Sequence, residues 1–301
     1  MMNKKILTRS FSGIAFIIII IGSLIFGSLS FLLLFSILTI VIEIEFFGIV
    51  KKMGFKPQIL NTIFISLSLF FLIALNALGV IGPQMMLLLI PLFFLIYIFE
   101  IFQKNKHAFT NIAYSVMGIV YVALPFALMN YVVFSPLSPQ GESSQLAISY
   151  FSETMNSSIF TFGQKTISFD PTYLIAFFSL LWIYDSFAYF IGLTLGRTPL
   201  VHYVSPRKTW EGFWGGTLAV ILAALAGNHF FSFMTLTDWL VTAFIIIFFG
   251  TFGDLIESLL KRSAHIKDSG KILPGHGGLL DRFDSFLIAA PVYFAYILMI
   301  K

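Results

Sequence analysis

The sequence predicts an all-α, polytopic integral membrane protein with about nine transmembrane helices and a cytoplasm-facing polar cavity. Three observations carry this. Of 301 residues, 58% are hydrophobic and 11% charged, with a mean hydropathy of +0.94, far from soluble composition. The apolar residues fall into runs of the roughly 20 needed to cross hydrocarbon as helix, the form in which a backbone satisfies its own hydrogen bonds in lipid. Lys and Arg gather between alternate runs.

The runs lie near residues 11–27, 31–50, 60–79, 84–102, 110–134, 172–195, 212–232, 238–258 and 283–300. The first follows Lys4, Lys5 and Arg9. No small-residue cleavage site of the A-x-A kind comes after it, so it reads as an uncleaved span rather than a signal peptide. Residues 28–30 are all that separates the first two runs, which predicts a tight hairpin. The eighth run turns polar after Phe249.

With the amino terminus inside, 16 of the 18 Lys and Arg residues fall on the cytoplasmic side, leaving Lys165 and Lys301 outside. That asymmetry predicts a cytoplasmic amino terminus and an external carboxy terminus. Residues 135–171, rich in Ser and Pro, are expected to form an external loop or small subdomain between amino-terminal membrane helices (1–134) and a carboxy-terminal catalytic region (172–301). There is no internal repeat. The chain has no cysteine, which excludes disulfides, thiol nucleophiles and Cys-ligated metal; metal chemistry must use oxygen or histidine.

Asp254, Ser258 and Lys261 lie at i, i+4 and i+7, on one helical face, flanked by Glu257 and Arg262. A polar stripe on an otherwise apolar helix predicts a water-filled cavity. Lys267 and Asp268 follow, then Gly275, His276, Gly277 and Gly278. Glycines let main-chain N–H groups approach phosphate oxygens. His276 either donates to a phosphate or caps the last helix. Asp281 and Asp284 are neighbours where that helix begins. Carboxylates among many cations suit a hard divalent ion; Mg²⁺ takes one or two of them and completes its octahedron with phosphates and water. Asp254 and Asp281 are expected to converge on it from two helices, with Asp284 beside them.

Asp185 is an intramembrane carboxylate, a cation- or substrate-binding candidate whose alternative is a bond to Tyr184 or another buried group. Ala188, Gly192 and Gly196 repeat every four residues and predict close helix packing. Ser205, Arg207, Lys208, Thr209 and Glu211 precede a helix for which Thr209 is the expected N-cap. Their basic residues either bind phosphate or only signal orientation. Glu43 and Glu45 are expected to pair locally with Lys51 or Lys52.

Ser258-Leu-Leu-Lys-Arg, four residues, Lys267-Asp268 and then Pro-Gly-His-Gly-Gly-Leu-Leu-Asp-Arg-Phe-Asp resembles the signature of the phosphatidate cytidylyltransferase family. Trp182-Ile-Tyr-Asp185-Ser-Phe-Ala-Tyr-Phe-Ile-Gly192 and Ser205-Pro-Arg-Lys208-Thr-Trp-Glu211-Gly-Phe-Trp-Gly-Gly216 are similar to it as well. The resemblance covers residues 175–301 closely; the earlier spans agree only in being hydrophobic. It implies transfer of the cytidylyl group of CTP to phosphatidic acid, giving CDP-diacylglycerol and pyrophosphate, with Mg²⁺, a second monovalent cation such as K⁺, and a homodimer.

On this reading Asp254, Asp281 and Asp284 serve the metal, and Lys261, Arg262, Lys267, Asp268 and Arg282 the reaction. Substrate falls to Ser205, Arg207, Lys208, Thr209, Glu211, Ser258, His276, Gly277, Gly278 and Asp185. Membrane lipids surround the chain, no nucleic acid is expected, and a bacterial cytoplasmic membrane is the expected location. The main rival is a polytopic transporter with a cytoplasmic phosphate site. The Asp-Gly-x-x-Ala-Arg pattern of CDP-alcohol phosphatidyltransferases is missing.

Overall fold

Residues 2–136, 159–162, 165–270 and 277–300 are described by the structure, a computed structural model. Among them the chain forms helices α1 (Met2–Ile25), α2 (Ser28–Lys52), α3 (Ile59–Ala77), α4 (Pro83–Gln103), α5 (Ala108–Val133), α6 (Thr172–Leu195), α7 (Trp210–Phe230), α8 (Leu236–Ser263) and α9 (Leu280–Ile300). The eight from α2 to α9 are long and apolar enough to cross a membrane, and α1 adds a shorter apolar stretch, Gly13–Ile25. Each predicted span falls on one helix.

The helix ends have local causes. Gly27, at φ 111°, makes the hairpin between α1 and α2, and the Ser30 hydroxyl closes it on the Ser23 and Gly27 carbonyls, both at 2.7 Å. Lys51 and Lys52 occupy the last turn of α2, where cations meet the negative end of the helix dipole. Thr235 and Asp238 form a capping box at the start of α8. Beyond Phe249 that helix does not leave the bundle: it passes through a π-helical turn, Ile246–Gly250, and runs on to Ser263. A second π turn, Gly118–Ala123, interrupts α5.

Two small sheets depart from a purely helical fold. The expected loop at 135–171 is bracketed by strands: β1 (Phe134–Pro136) and β2 (Ile159–Phe162) both pair antiparallel with β3 (Lys165–Phe169). Between α6 and α7, β4 (Pro199–Val201) pairs with β5 (Ser205–Thr209), with Val201 opposite Ser205. Strands of three to five residues are too short for an alternating pattern to reveal them in sequence.

In lipid the drive to bring helices together comes from packing and polar contacts rather than water exclusion. An aromatic cluster does this at the centre: Phe178 of α6 stacks on Phe286 of α9 at 5.4 Å, and Phe126 of α5 meets Phe286 at 4.9 Å. At the α3–α5 ends, buried Glu100 accepts from Gln58, Asn105 and Asn111 at 2.7, 3.0 and 2.9 Å. The predicted small-residue ridge is a close crossing. A Cβ on Gly212 of α7 would lie 2.6 Å from the Ala188 carbonyl and 3.1 Å from the Gly192 Cα, both on α6.

Because those neighbours are backbone, Gly212→Ala should force α6 and α7 apart and cost about 1–3 kcal/mol, read as a melting temperature lower by several degrees in detergent. Gly48→Ala, where a Cβ meets nothing within 4 Å, is the matched control and should melt with the wild type.

Candidate active site

One cavity of about 800 Å³ opens between α1, α6, β5, α8 and α9, a volume within the usual range of ligand pockets. Its polar lining comprises Asp185 from α6, Arg207 and Lys208 from β5, Asp254 from α8, and Asp281, Arg282 and Asp284 from α9. Its apolar lining includes Phe16 and Ile17 of α1 together with Trp182, Tyr189 and Leu193 of α6. The carboxylates that the sequence placed on separate helices therefore face a common space.

Lysines neutralise several of the carboxylates around this space. Lys208 forms an ion pair with Asp254, and Lys261 pairs with Glu257 one turn before it. The Lys261 ammonium also donates to Asp281 Oδ1 at 2.6 Å. The other oxygen of Asp281, Oδ2, accepts from the Ser269 N–H at 3.0 Å, the Ser269 hydroxyl at 2.9 Å and the Gly278 N–H at 2.8 Å. Asp185 and Asp284 repel each other, with Lys208 close enough to offset both and Arg282 to offset Asp185. Loss of water around Lys208 pulls its ammonium down to about 8, against the pull of Asp284, Asp185 and Glu257 in the other direction.

Oxygen-only donors suit a hard divalent ion. Among the described residues no three His, Asp or Glu side chains form a complete cage, and Mg²⁺ does not require one when phosphates and water supply its remaining positions. Asp254 and Asp281 line the cavity and are the carboxylates such an ion would draw on, each now paired with a lysine, Lys208 and Lys261. Since three donors occupy Asp281 Oδ2, Oδ1 is the oxygen turned to the ammonium of Lys261.

A family model described as the cytidylyltransferase family matches residues 7–300. The chain belongs to the cytidylyltransferase family. It is 33% identical over 205 residues to the phosphatidate cytidylyltransferase of Staphylococcus epidermidis, the alignment covering 68% of this chain and 66% of that protein. It is 32% identical over 206 residues to that of Staphylococcus aureus, with the same coverage of each. The chain thus spans about 66% of the length of the curated relatives it matches. Nothing in these matches supports the transporter reading.

Other residues of the cytidylyltransferase signature lie around the cavity rather than in it. Arg262 is exposed and its guanidinium points to the carbonyls of Val204 and Ile266, each at 3.4 Å. Lys267 and Asp268 are exposed on the segment after α8, and Ser205 lies at the start of β5. Ser258 is buried, and the polar stripe of α8 runs instead through Asp254, Glu257 and Lys261, with Glu257 0% exposed. Glu211 turns back to accept the N–H groups of Arg197 and Thr198 at 3.1 and 3.2 Å, which secures the entry to β4. Gly277 adopts φ 87° beside Asp281. The Gly278 N–H, expected to face phosphate, is already bonded to Asp281. His276 and Gly275 lie outside the described residues.

Two carboxylates read differently in three dimensions. Glu43 bonds the Ser66 hydroxyl at 2.8 Å, and Glu45 accepts the Leu280 N–H at 2.8 Å, so neither pairs with Lys51 or Lys52. Tyr184 bonds Thr251 at 2.6 Å, leaving Asp185 to the cavity. The apolar contribution of α1 had no signal in its sequence beyond hydrophobicity.

Thr209 is the N-cap of α7, accepting from the Gly212 N–H at 3.2 Å, and so fixes β5 and its Lys208 against the helix. Thr209→Ala should cost about 0.5–2 kcal/mol of stability. Thr209→Ser, which keeps the cap oxygen, should recover most of the lost melting temperature.

Proposed function

We propose that this chain transfers the cytidylyl group of CTP to phosphatidic acid, giving CDP-diacylglycerol and pyrophosphate for phospholipid synthesis. The observation that carries the reading is the mixed lining of the cavity: carboxylates and cations together with aromatic and aliphatic side chains of α1 and α6. A lipid phosphate and a triphosphate need the charged groups, and acyl chains the apolar ones. The family, and the names of the relatives, support the same chemistry.

The reaction begins with an oxygen of the lipid phosphate monoester. With a second pKa near ~6 it is largely dianionic at neutral pH and needs no obligatory general base. This oxygen bonds to the α-phosphorus of CTP while the bond from that phosphorus to the bridging oxygen breaks. Pyrophosphate leaves with the electron pair. The difficulty is repulsion between two polyanions, and the side chains answer it. Lys208 and Arg282 meet phosphate charge inside the cavity, Arg207 holds the headgroup or nucleotide at its rim, and Lys261 keeps Asp281 oriented. Asp254 and Asp281, with Asp284 nearby, would hold Mg²⁺, which when bound would supply charge neutralisation and alignment of the phosphates. A neighbouring monovalent cation and a homodimer belong to the same proposal.

The side of the membrane follows from the cations. Reporters fused at residues 55, 105, 205 or 270 should read cytoplasm, and those at 150 or 301 the outside. An external signal at 270 would separate the site from its nucleotide and sink the model.

Purified protein should release pyrophosphate from CTP only when phosphatidic acid is added. Asp281→Asn and Asp254→Asn should each lower turnover on the order of a thousandfold, with folding retained because Lys261 keeps Glu257 and Asn still accepts hydrogen bonds. If both folded variants keep more than about a tenth of wild-type turnover across a Mg²⁺ titration, a deficit below ~1.4 kcal/mol, Asp254 and Asp281 are not the metal ligands.

A further inference from the structure

The amino-terminal helices send one carboxylate into the carboxy-terminal signature. Glu45 projects from α2, 6% exposed, and its Oε2 accepts the backbone N–H of Leu280 at 2.8 Å. Leu280 is the first residue of α9, where N–H groups have no partner within the helix. Glu45 therefore caps α9 from a helix 235 residues earlier in sequence. Its Oε2 also lies 3.4 Å from the Ser269 hydroxyl, whose proton serves the shorter bond to Asp281 at 2.9 Å.

Two glycines make room for this side chain. A Cβ on Gly270 would stand 2.1 Å from Glu45 Oε1, and one on Gly278 would stand 2.5 Å from Oε2. Glu45 is not among the residues lining the cavity, so any effect on chemistry passes through its partners. Those partners matter: Ser269 and Gly278 supply all three hydrogen bonds to Asp281 Oδ2, and Leu280 directly precedes Asp281. Movement of this segment would turn Oδ1 and the Lys261 ammonium away from their present line.

We propose that Glu45 is a positioning residue for nucleotidyl transfer, fixing the start of α9 and the Ser269–Gly278 cradle so that Asp281, with Lys261 bonded to it, is held ready at the cavity. The inference rests on the function proposed above. A hydrogen-bond acceptor of this shape is what the geometry requires, and Gln retains one.

The test uses the full chain in detergent and compares Glu45→Gln, Glu45→Ala, Gly270→Ala and the Glu45→Ala/Gly270→Ala double variant. Turnover, KM for CTP and hydrogen exchange across residues 277–285 are measured. Glu45→Gln should keep kcat within about threefold of wild type, whereas Glu45→Ala should lower it on the order of tenfold or more with KM for CTP within about threefold. Exchange over that segment should quicken by about tenfold in Glu45→Ala and stay near wild type in Glu45→Gln. Gly270→Ala, whose new methyl meets the Glu45 side chain first, should also lower kcat, and the double variant should be no worse than Glu45→Ala.

Wild-type kcat in a folded Glu45→Ala or Gly270→Ala would overturn the proposal. So would equal damage from Gln and Ala, or additive losses in the double variant. If Glu45→Ala does not fold, the Gln and Gly270 variants decide the matter by the same criteria. Absence of turnover in the wild type would count against the proposed function alone; the exchange measurement still reads the clamp, and unchanged exchange in Glu45→Ala would overturn it.

Discussion

The bond between Lys261 and Asp281 is the interaction on which the site depends. It joins α8 to α9 across the cavity wall, and it does so in surroundings where an unpaired charge is costly. Glu257, fully buried on the same side, relies on the same ammonium. Removing Lys261 would leave two carboxylates facing each other with no cation between them. The group that neutralises Asp281 in the protein is thus of the same sign as the ion proposed to bind there, so carboxylate geometry can be kept whether lysine or metal carries the balancing charge.

That arrangement needs rigid supports, and the bundle supplies them by close packing rather than by exclusion of water. Gly192 and Gly212 let α6 and α7 meet nearly backbone to backbone. This brings Asp185 on one helix and the strand bearing Lys208, just before the other, to a common wall. On the far side, the stack of Phe178 on Phe286 locks α6 to α9. Asp185 and Asp284 thereby stand on helices tied together by aromatic contact.

The helices were legible because each is a run of apolar residues as long as the bilayer is thick. Most cavity residues were legible too: Asp254, Asp281, Lys208 and Asp185 are charges in places where charge is expensive. What sequence could not show was partnership over distance. Glu45 lies six residues from Lys51, and pairing by proximity was the natural reading; its real partner is a backbone N–H 235 residues away, which leaves no mark in side-chain pattern. Gly278 was expected to bring its N–H to phosphate; here that N–H meets Asp281, and the close neighbours of its Cα are the Ser269 and Glu45 side chains. Glu257 looked like the edge of the stripe on α8 because a regular helix projection ignores which neighbour covers which flank. Strands β4 and β5 were missed since two short paired segments carry no usable periodicity.

The π turn at Ile246–Gly250 has a consequence for how this helix can change length over evolution. A π turn holds one residue more than an α-helical turn over the same rise and absorbs it locally, so the helix on either side keeps its facing. A chain lacking one residue there could close into ordinary α-helix with Trp239 still in the core and Asp254 still toward the cavity. The same deletion a few residues later, between Thr251 and Asp254, would swing everything beyond it by about 100° around the axis, carrying Lys261 off Asp281. Length variation in this helix should therefore be tolerated before Thr251 and excluded after it.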